Sequence, residues 1–221
     1  MKLFVLVIAV GVLLGYLAGG RLSHFESLRL RLWGLAIVGL GIQFVPLPEG
    51  DVGTDLLVRT MVLSASYTLL VAFAAVNIRI RGMALLLIGL ACNFAVIAAN
   101  GGMPASAEAL RDSGQEDVLE LLREDGAAKH HLMTEDDVLT LLGDVIPVPQ
   151  PIGQAISVGD AFMYAGLIWL ILGAMQGRTR STIQAELERR RGKHRLGAPR
   201  RSTQDDFGFL PPGARRSGTA R

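Results

Sequence analysis

The chain has 221 residues, of which 50% are apolar and 19% charged, with a mean hydropathy of +0.39 and a formal net charge of +2. A soluble domain spreads about a quarter charged residues over its surface, whereas here long stretches carry none and others are crowded with them. This sorting excludes an ordinary soluble enzyme. It predicts an all-α, polytopic helical membrane protein with about five transmembrane helices, a small extracytoplasmic helical cap and a disordered basic cytoplasmic tail.

In chain order, the apolar runs fall at 3–19, 32–47, 56–76, 83–99 and 161–175. They give four helices within 1–100, a cap over 101–157, a fifth helix over 158–176 and a tail over 177–221, with disorder expected beyond about 197. In the first run Gly11, Gly15 and Gly19 repeat at four-residue spacing, which lets another helix approach closely, within the chain or in a second copy. The same run follows Lys2 and ends in Ala18, Gly19 and Gly20, the outline of a cleaved signal peptide. Its single lysine and the arginines that follow favour a retained span. Gln43, Asn77, Asn93 and Asn100 are amides in or at the ends of spans; such groups hydrogen-bond between helices, for about 1 kcal/mol each, or line a polar path. Arg59 lies near the end of its span and can snorkel to the interface. Cys92 is the one cysteine, so no internal disulfide forms.

Sidedness follows from Lys and Arg. Arg21, Arg29, Arg31, Arg79, Arg81 and the 12 basic residues of the tail belong in the cytoplasm, while 101–157 holds 11 acids against 3 basic residues. The amino terminus and the long loop are therefore expected outside a bacterial plasma membrane and the carboxyl terminus inside.

The long loop carries helix punctuation. Ser106 precedes one short helix; Ser113 with Glu116 and Thr134 with Asp137 have capping-box spacing; Gly126 and Gly143 stand at stops. Helices are thus expected over 115–125 and 135–142, and their apolar residues Val118, Leu119, Leu121, Leu122 and Val138, Leu139, Leu141, Leu142 suggest a weak repeat. The prolines of 144–151 favour an extended, polyproline-like strap. Ser157 and Asp160 then read as the capping box of the last helix, although an acid at a membrane boundary also suits a proton or cation site.

Lys129-His130-His131 is the one histidine cluster. Adjacent side chains diverge, and no HxH, HxxxH or HExxH spacing accompanies them, so neither a metal nor a cofactor is expected. In the tail, Arg178, Arg180, Arg189, Arg190 and Arg191 surround a short apolar face suited to anionic lipid headgroups, and Phe207 to Pro212 resembles a docking motif. Topology and lipid explain this charge without nucleic acid. No phosphate-binding loop, dinucleotide fingerprint or catalytic triad is present.

Asn100-Gly-Gly-Met-Pro104, Lys129-His130, Leu142-Gly-Asp-Val-Ile-Pro-Val-Pro149 and Ser157-Val-Gly-Asp160 together resemble an uncharacterised family of bacterial multi-pass membrane proteins, the domain-of-unknown-function family numbered 5317, over roughly 1–177. The resemblance implies architecture and location but no catalytic residue. Two functions are carried forward. The first is a non-enzymatic membrane scaffold that meets a membrane or envelope protein, or a second copy, through its acidic loop and lipid through its basic tail. The alternative is a small transporter, channel or membrane-embedded enzyme whose polar site draws on Asn93, Asn100, His130, His131, Asp144 and Asp160.

Overall fold

A computed structural model describes residues 2–45, 54–124 and 129–177. The chain divides into Met1–Gln184 and Ala185–Arg221. The second unit, the lipid-contact arginines Arg178, Arg180, Arg189, Arg190 and Arg191, the expected disorder and the stop at Gly126 all lie outside the described residues. Within the first unit the chain runs through α1 (Lys2–Leu17), α2 (Trp33–Ile42), α3 (Thr54–Val76) and α4 (Met83–Asn100). It continues through β1 (Met103–Ala105), α5 (Ala107–Asp112), α6 (Glu116–Glu124), β2 (His130–Leu132), β3 (Asp144–Val148), β4 (Gln154–Ser157) and α7 (Val158–Met175).

Among the described residues three helices are long and apolar enough to cross a membrane: Leu56–Val76 of α3, α4 and α7. No more than 33% of any of these windows is buried inside the protein, and outward residues such as Val58, Met61, Ile88 and Trp169 are exposed. Water does not tolerate so continuous an apolar surface, whereas a bilayer does. The first two apolar runs form shorter helices, of 16 and 10 residues. At 1.5 Å per residue α2 covers only about 15 Å, so five full-length spans are not seen among the described residues.

The helices lie side by side in the order α2, α3, α4, α7, α1. The closest approach is between α4 and α7, and glycine makes it possible. A Cβ on Gly159 would fall on the Asn93 side-chain oxygen, one on Gly89 against the Gly159 carbonyl, and one on Gly166 would lie 2.7 Å from the Leu86 nitrogen. On the other side of α7, Gly11 faces Ile171 and Gly15 faces Met175. Gly19 does not continue that stripe: it closes the helix with φ +76° and has no atom within 4 Å of where a Cβ would stand, while Gly20 packs against Met175. The turn is tied down where Arg21 N–H and His24 Nδ1 both donate to the Met175 carbonyl, at 2.9 and 2.7 Å. Asn77 does the same for α2 and α3, accepting from Arg31 N–H and donating to the Arg31 and Phe73 carbonyls. Arg59 does not snorkel; it is buried, with 5% exposure.

The cap corrects the all-α expectation. Its strands form a mixed sheet in the order β2-β1-β3-β4, with β1 parallel to both neighbours and β3 antiparallel to β4. The expected strap is the β3–β4 hairpin. Ser106 caps α5 through Ala109 N–H, as its position suggests, but Ser113 donates to the Leu110 carbonyl and the Gln115 side chain and does not cap α6. No helix forms over 135–142. Asp137 accepts from the Thr134 N–H and hydroxyl in a local turn, Asn100 grips both backbone groups of Val138, and Leu139 adopts φ +57°, leaving one 3-10 turn at Thr140–Leu142. The apparent repeat therefore has no structural counterpart. Ala105, Ala109, Leu110, Leu119, Leu122 and Ala155 fill the space between α5, α6 and the sheet.

Gly159→Ala should lower the thermal stability of the detergent-purified protein by about 1–3 kcal/mol, the cost of overpacking a closed contact. Gly34→Ala, with nothing within 4 Å, should leave the melting temperature unchanged. Equal melting curves for the two variants would contradict the close α4–α7 contact.

Candidate functional site

The sheet and the bundle meet at one end, and the polar residues gather there. β1 follows α4 after two glycines, and β4 runs into α7 without a break. The parallel neighbours of β1 bring His130, paired with Met103, and Asp144, paired with Ala105, to either side of it; Asp144 is also paired with Ser157. From below, the first turn of α7 contributes Asp160. Its Oδ1 accepts from Asn93 Nδ2 at 2.8 Å, its Oδ2 accepts from Ser157 N–H at 3.3 Å, and its own N–H donates to the Ser157 hydroxyl oxygen at 2.9 Å. The Ser157 hydroxyl donates in turn to Asn93 Oδ1 at 2.9 Å. Capping box and interhelical amide thus form one closed ring, with Asn93 and Ser157 buried and Asp160 half-buried.

Two adjoining cavities, of about 410 and 90 Å³, share His130, Asp144 and Asp160 in their walls. The larger adds Lys2, Gln115 and Gln154; the smaller adds Gln43, Tyr67, Asn93 and Lys129. Lys129 reaches across to donate to the Gln43 carbonyl, fastening β2 to the end of α2. His130 Nε2 lies 3.4 Å from Asp144 Oδ2, and 46% of the His130 side chain is accessible against 10% for Asp144.

Burial acts on this pair in opposite senses. It pushes the Asp144 carboxyl up to about 7, with the negative Asp160 adding to the rise. It pushes the His130 imidazole below its usual value; Asp160 opposes this, while Lys129 and His131 reinforce it. Asp144 therefore holds its proton below about pH 7, and His130 is displaced toward its neutral form. Such a pair can hold a proton and exchange it with a bound molecule.

His131 and Asn100 do not join the site. On a strand consecutive side chains point to opposite faces, and His131 Nε2 bonds Asp137 Oδ1 at 2.8 Å. Burial alone would raise the Asp137 carboxyl, but hydrogen bonds from Thr134 N–H and His131 outweigh it and hold the group below the ordinary carboxylate value. Asn100 holds the Val138 loop. Of the expected polar residues, Asn93, His130, Asp144 and Asp160 come together. Gln43 enters as one of the span amides that could line a polar path, and Lys129 stands beside the histidines; Lys2, Tyr67, Gln115 and Gln154 carried no signal for the site. Among the described residues no group of three or more His, Cys, Asp or Glu is placed to hold a metal ion.

The fold and site define a helical-bundle protein, compatible with membrane insertion, that carries a small mixed α/β cap over a polar cavity. Residues 27–172, more than half of the chain, match the model described as Family of unknown function (DUF5317), and the chain belongs to that family. It is 35% identical over 112 residues to an uncharacterized protein of Thermotoga maritima, covering 49% of this chain and 61% of the relative's length. No solved structure matches it.

An Asp144→Asn variant tests the buried carboxyl. Because Asp144 binds its proton more tightly in the folded chain than unfolded, its favourable contribution is complete below about pH 4 and is lost as pH rises through about 7. His130 works in the other direction, its contribution fading as pH falls below about 6.5. The variant should match wild type in melting temperature near pH 4 and exceed it by several degrees at pH 8. A difference that does not vary with pH would contradict the assignment.

Proposed function

We propose that this chain is a five-pass bacterial plasma-membrane protein, amino terminus outside and carboxyl terminus in the cytoplasm, that binds a small polar solute in the outward-facing cavity under its cap. The observation that carries the reading is the convergence of His130, Asp144 and Asp160, from β2, β3 and α7, on one cavity large enough for a small metabolite. Lys/Arg asymmetry supports the sidedness: the end away from the sheet bears Arg21, Arg29, Arg31, Arg79 and Arg81. The directions of the helices support the pass number. Lys2 of α1 and Gln43 just beyond α2 both reach the sheet-end cavities, while Gly20 and Arg31 sit at the other end, so α1 to α4 and α7 alternate in direction.

Both charge signs line the cavity, Lys2 and Asp160 sharing its wall with His130 and Asp144, which suits a zwitterion or a solute offering donor and acceptor groups. Scaffolding remains a second reading, supported by the exposed acids Glu116, Asp117 and Glu120 along α6.

Thermal-shift measurements on the detergent-purified chain, with amino acids, amines, carboxylic acids and sugars as probes, test the binding reading. At least one class should raise the wild-type melting temperature at neutral pH, and His130→Gln and Asp144→Asn should each abolish that rise. A panel without any stabilising class would contradict solute binding and leave the acidic face of α6 as the better lead.

A further inference from the structure

We propose that a second cavity, at the end of the bundle away from the sheet, is a binding site for the phosphate of an anionic phospholipid. This cavity of about 320 Å³ lies where the turn after α3 meets α7, and Ile78, Arg79, Arg81, Leu85 and Trp169 form most of its wall. Two guanidinium groups stand among apolar side chains, and among the described residues no acid lines it. That differs in kind from the solute cavity, where both charge signs are present. Guanidinium is the group that best matches phosphate oxygens, because its planar fork makes paired, charge-assisted hydrogen bonds.

The fold positions Arg81 specifically. Its stem lies over Gly173, with Cβ and Cδ each 3.1 Å from where a Cβ on that glycine would stand, so any larger residue there would push the arginine away. One of its five N–H donors reaches Gln176 Oε1, at 3.4 Å, which leaves donors for an anion. Arg79 is exposed. The rest of the wall argues for a lipid over a soluble phosphate: Ile78 and Trp169 are 41% and 51% exposed and continue the apolar outer surface of α3 and α7. Tryptophan is the residue that settles at the headgroup level of a bilayer. A phosphate between the arginines would let acyl chains run along that surface.

The inference rests on the membrane reading above and not on the solute cavity. Its test uses the full chain in non-ionic detergent, titrated with dioctanoyl phosphatidylglycerol, dioctanoyl phosphatidylcholine or inorganic phosphate while the melting temperature is followed. Phosphatidylglycerol should stabilise wild type at lower concentration than phosphatidylcholine, and Arg79→Gln/Arg81→Gln should lose that preference, by about five-fold per arginine removed. Arg79→Gln alone, at an exposed position, provides the same comparison if the double variant does not purify. Equal responses to the two lipids, or a preference kept in the variants, would overturn the proposal. A shift reproduced by inorganic phosphate would replace lipid with a soluble anion. Membrane fractionation separates the two levels of failure: a chain absent from the membrane fraction sinks the membrane reading, whereas a membrane-bound chain without lipid preference sinks only this site.

Discussion

The backbone contact between α4 and α7 at Gly89 and Gly159 is the constraint on which the rest of the molecule depends. It brings Asn93 within hydrogen-bonding distance of both Ser157 and Asp160. Those two helices are also the stems of the cap, since β1 leaves α4 after two residues and β4 passes directly into α7. Fixing the helix pair therefore fixes the first and last strands of the sheet, and the intervening chain needs only to fill the space between them. β3 pairs with both, β2 adds at the outer edge, and α5 and α6 close the apolar side. A cap of strands only three to five residues long has little stability of its own. Its stability comes from the bundle.

The same arrangement explains how an acid and a histidine persist in a cramped site. Asp160 is supplied with donors by its helix start and by Asn93, so its charge is compensated where it sits. Asp144 lacks such donors and answers burial by retaining its proton near neutrality. His130, its neighbour, is shifted toward its neutral form. A protonated Asp144 costs less than an uncompensated buried carboxylate would, and it stands in the wall of a cavity of about 410 Å³. A purely structural cluster would be expected to fill its space with side chains.

Much of the bundle was legible in the sequence because its signal is local. α3, α4 and α7 are long apolar runs; the Ser157 and Asp160 cap lies within four residues; Gly11 and Gly15 mark a helix contact. The stripe of Gly159 and Gly166 at seven-residue spacing was equally visible and points to the closer α4 contact, and Gly173 continues it against Arg81 in the turn before α4. The sheet was not legible. β1 is Met-Pro-Ala, its partners lie more than 25 residues away, and so short a strand has no usable period. Thr134 and Asp137 show why capping-box spacing misled: the carboxylate accepts from the Thr134 N–H as in a capping box, but the hydroxyl donates to that same carboxylate and closes a turn without a helix, and Asn100, distant in sequence, captures the residue that would have continued it. The prolines suggested a strap because a missing N–H argues against a strand. Beyond Asp144, however, β3 has β4 on one side only, and a proline is tolerated where its nitrogen faces the open edge. Asn93, His130, Asp144 and Asp160 were singled out as polar residues near one face, yet their convergence depends on the unseen sheet.

The two ends of the bundle are chemically opposite, and cysteine labelling reads directly whether they also lie on opposite sides of a membrane. In a Cys92→Ser background, Gln154→Cys places a thiol in the solute cavity and Arg79→Cys places one at the basic end. A membrane-impermeant maleimide applied to intact cells should modify the first and reach the second only after the membrane is permeabilised. Labelling in the reverse order, or labelling of both in intact cells, would contradict an outward-facing cap on a membrane-spanning bundle.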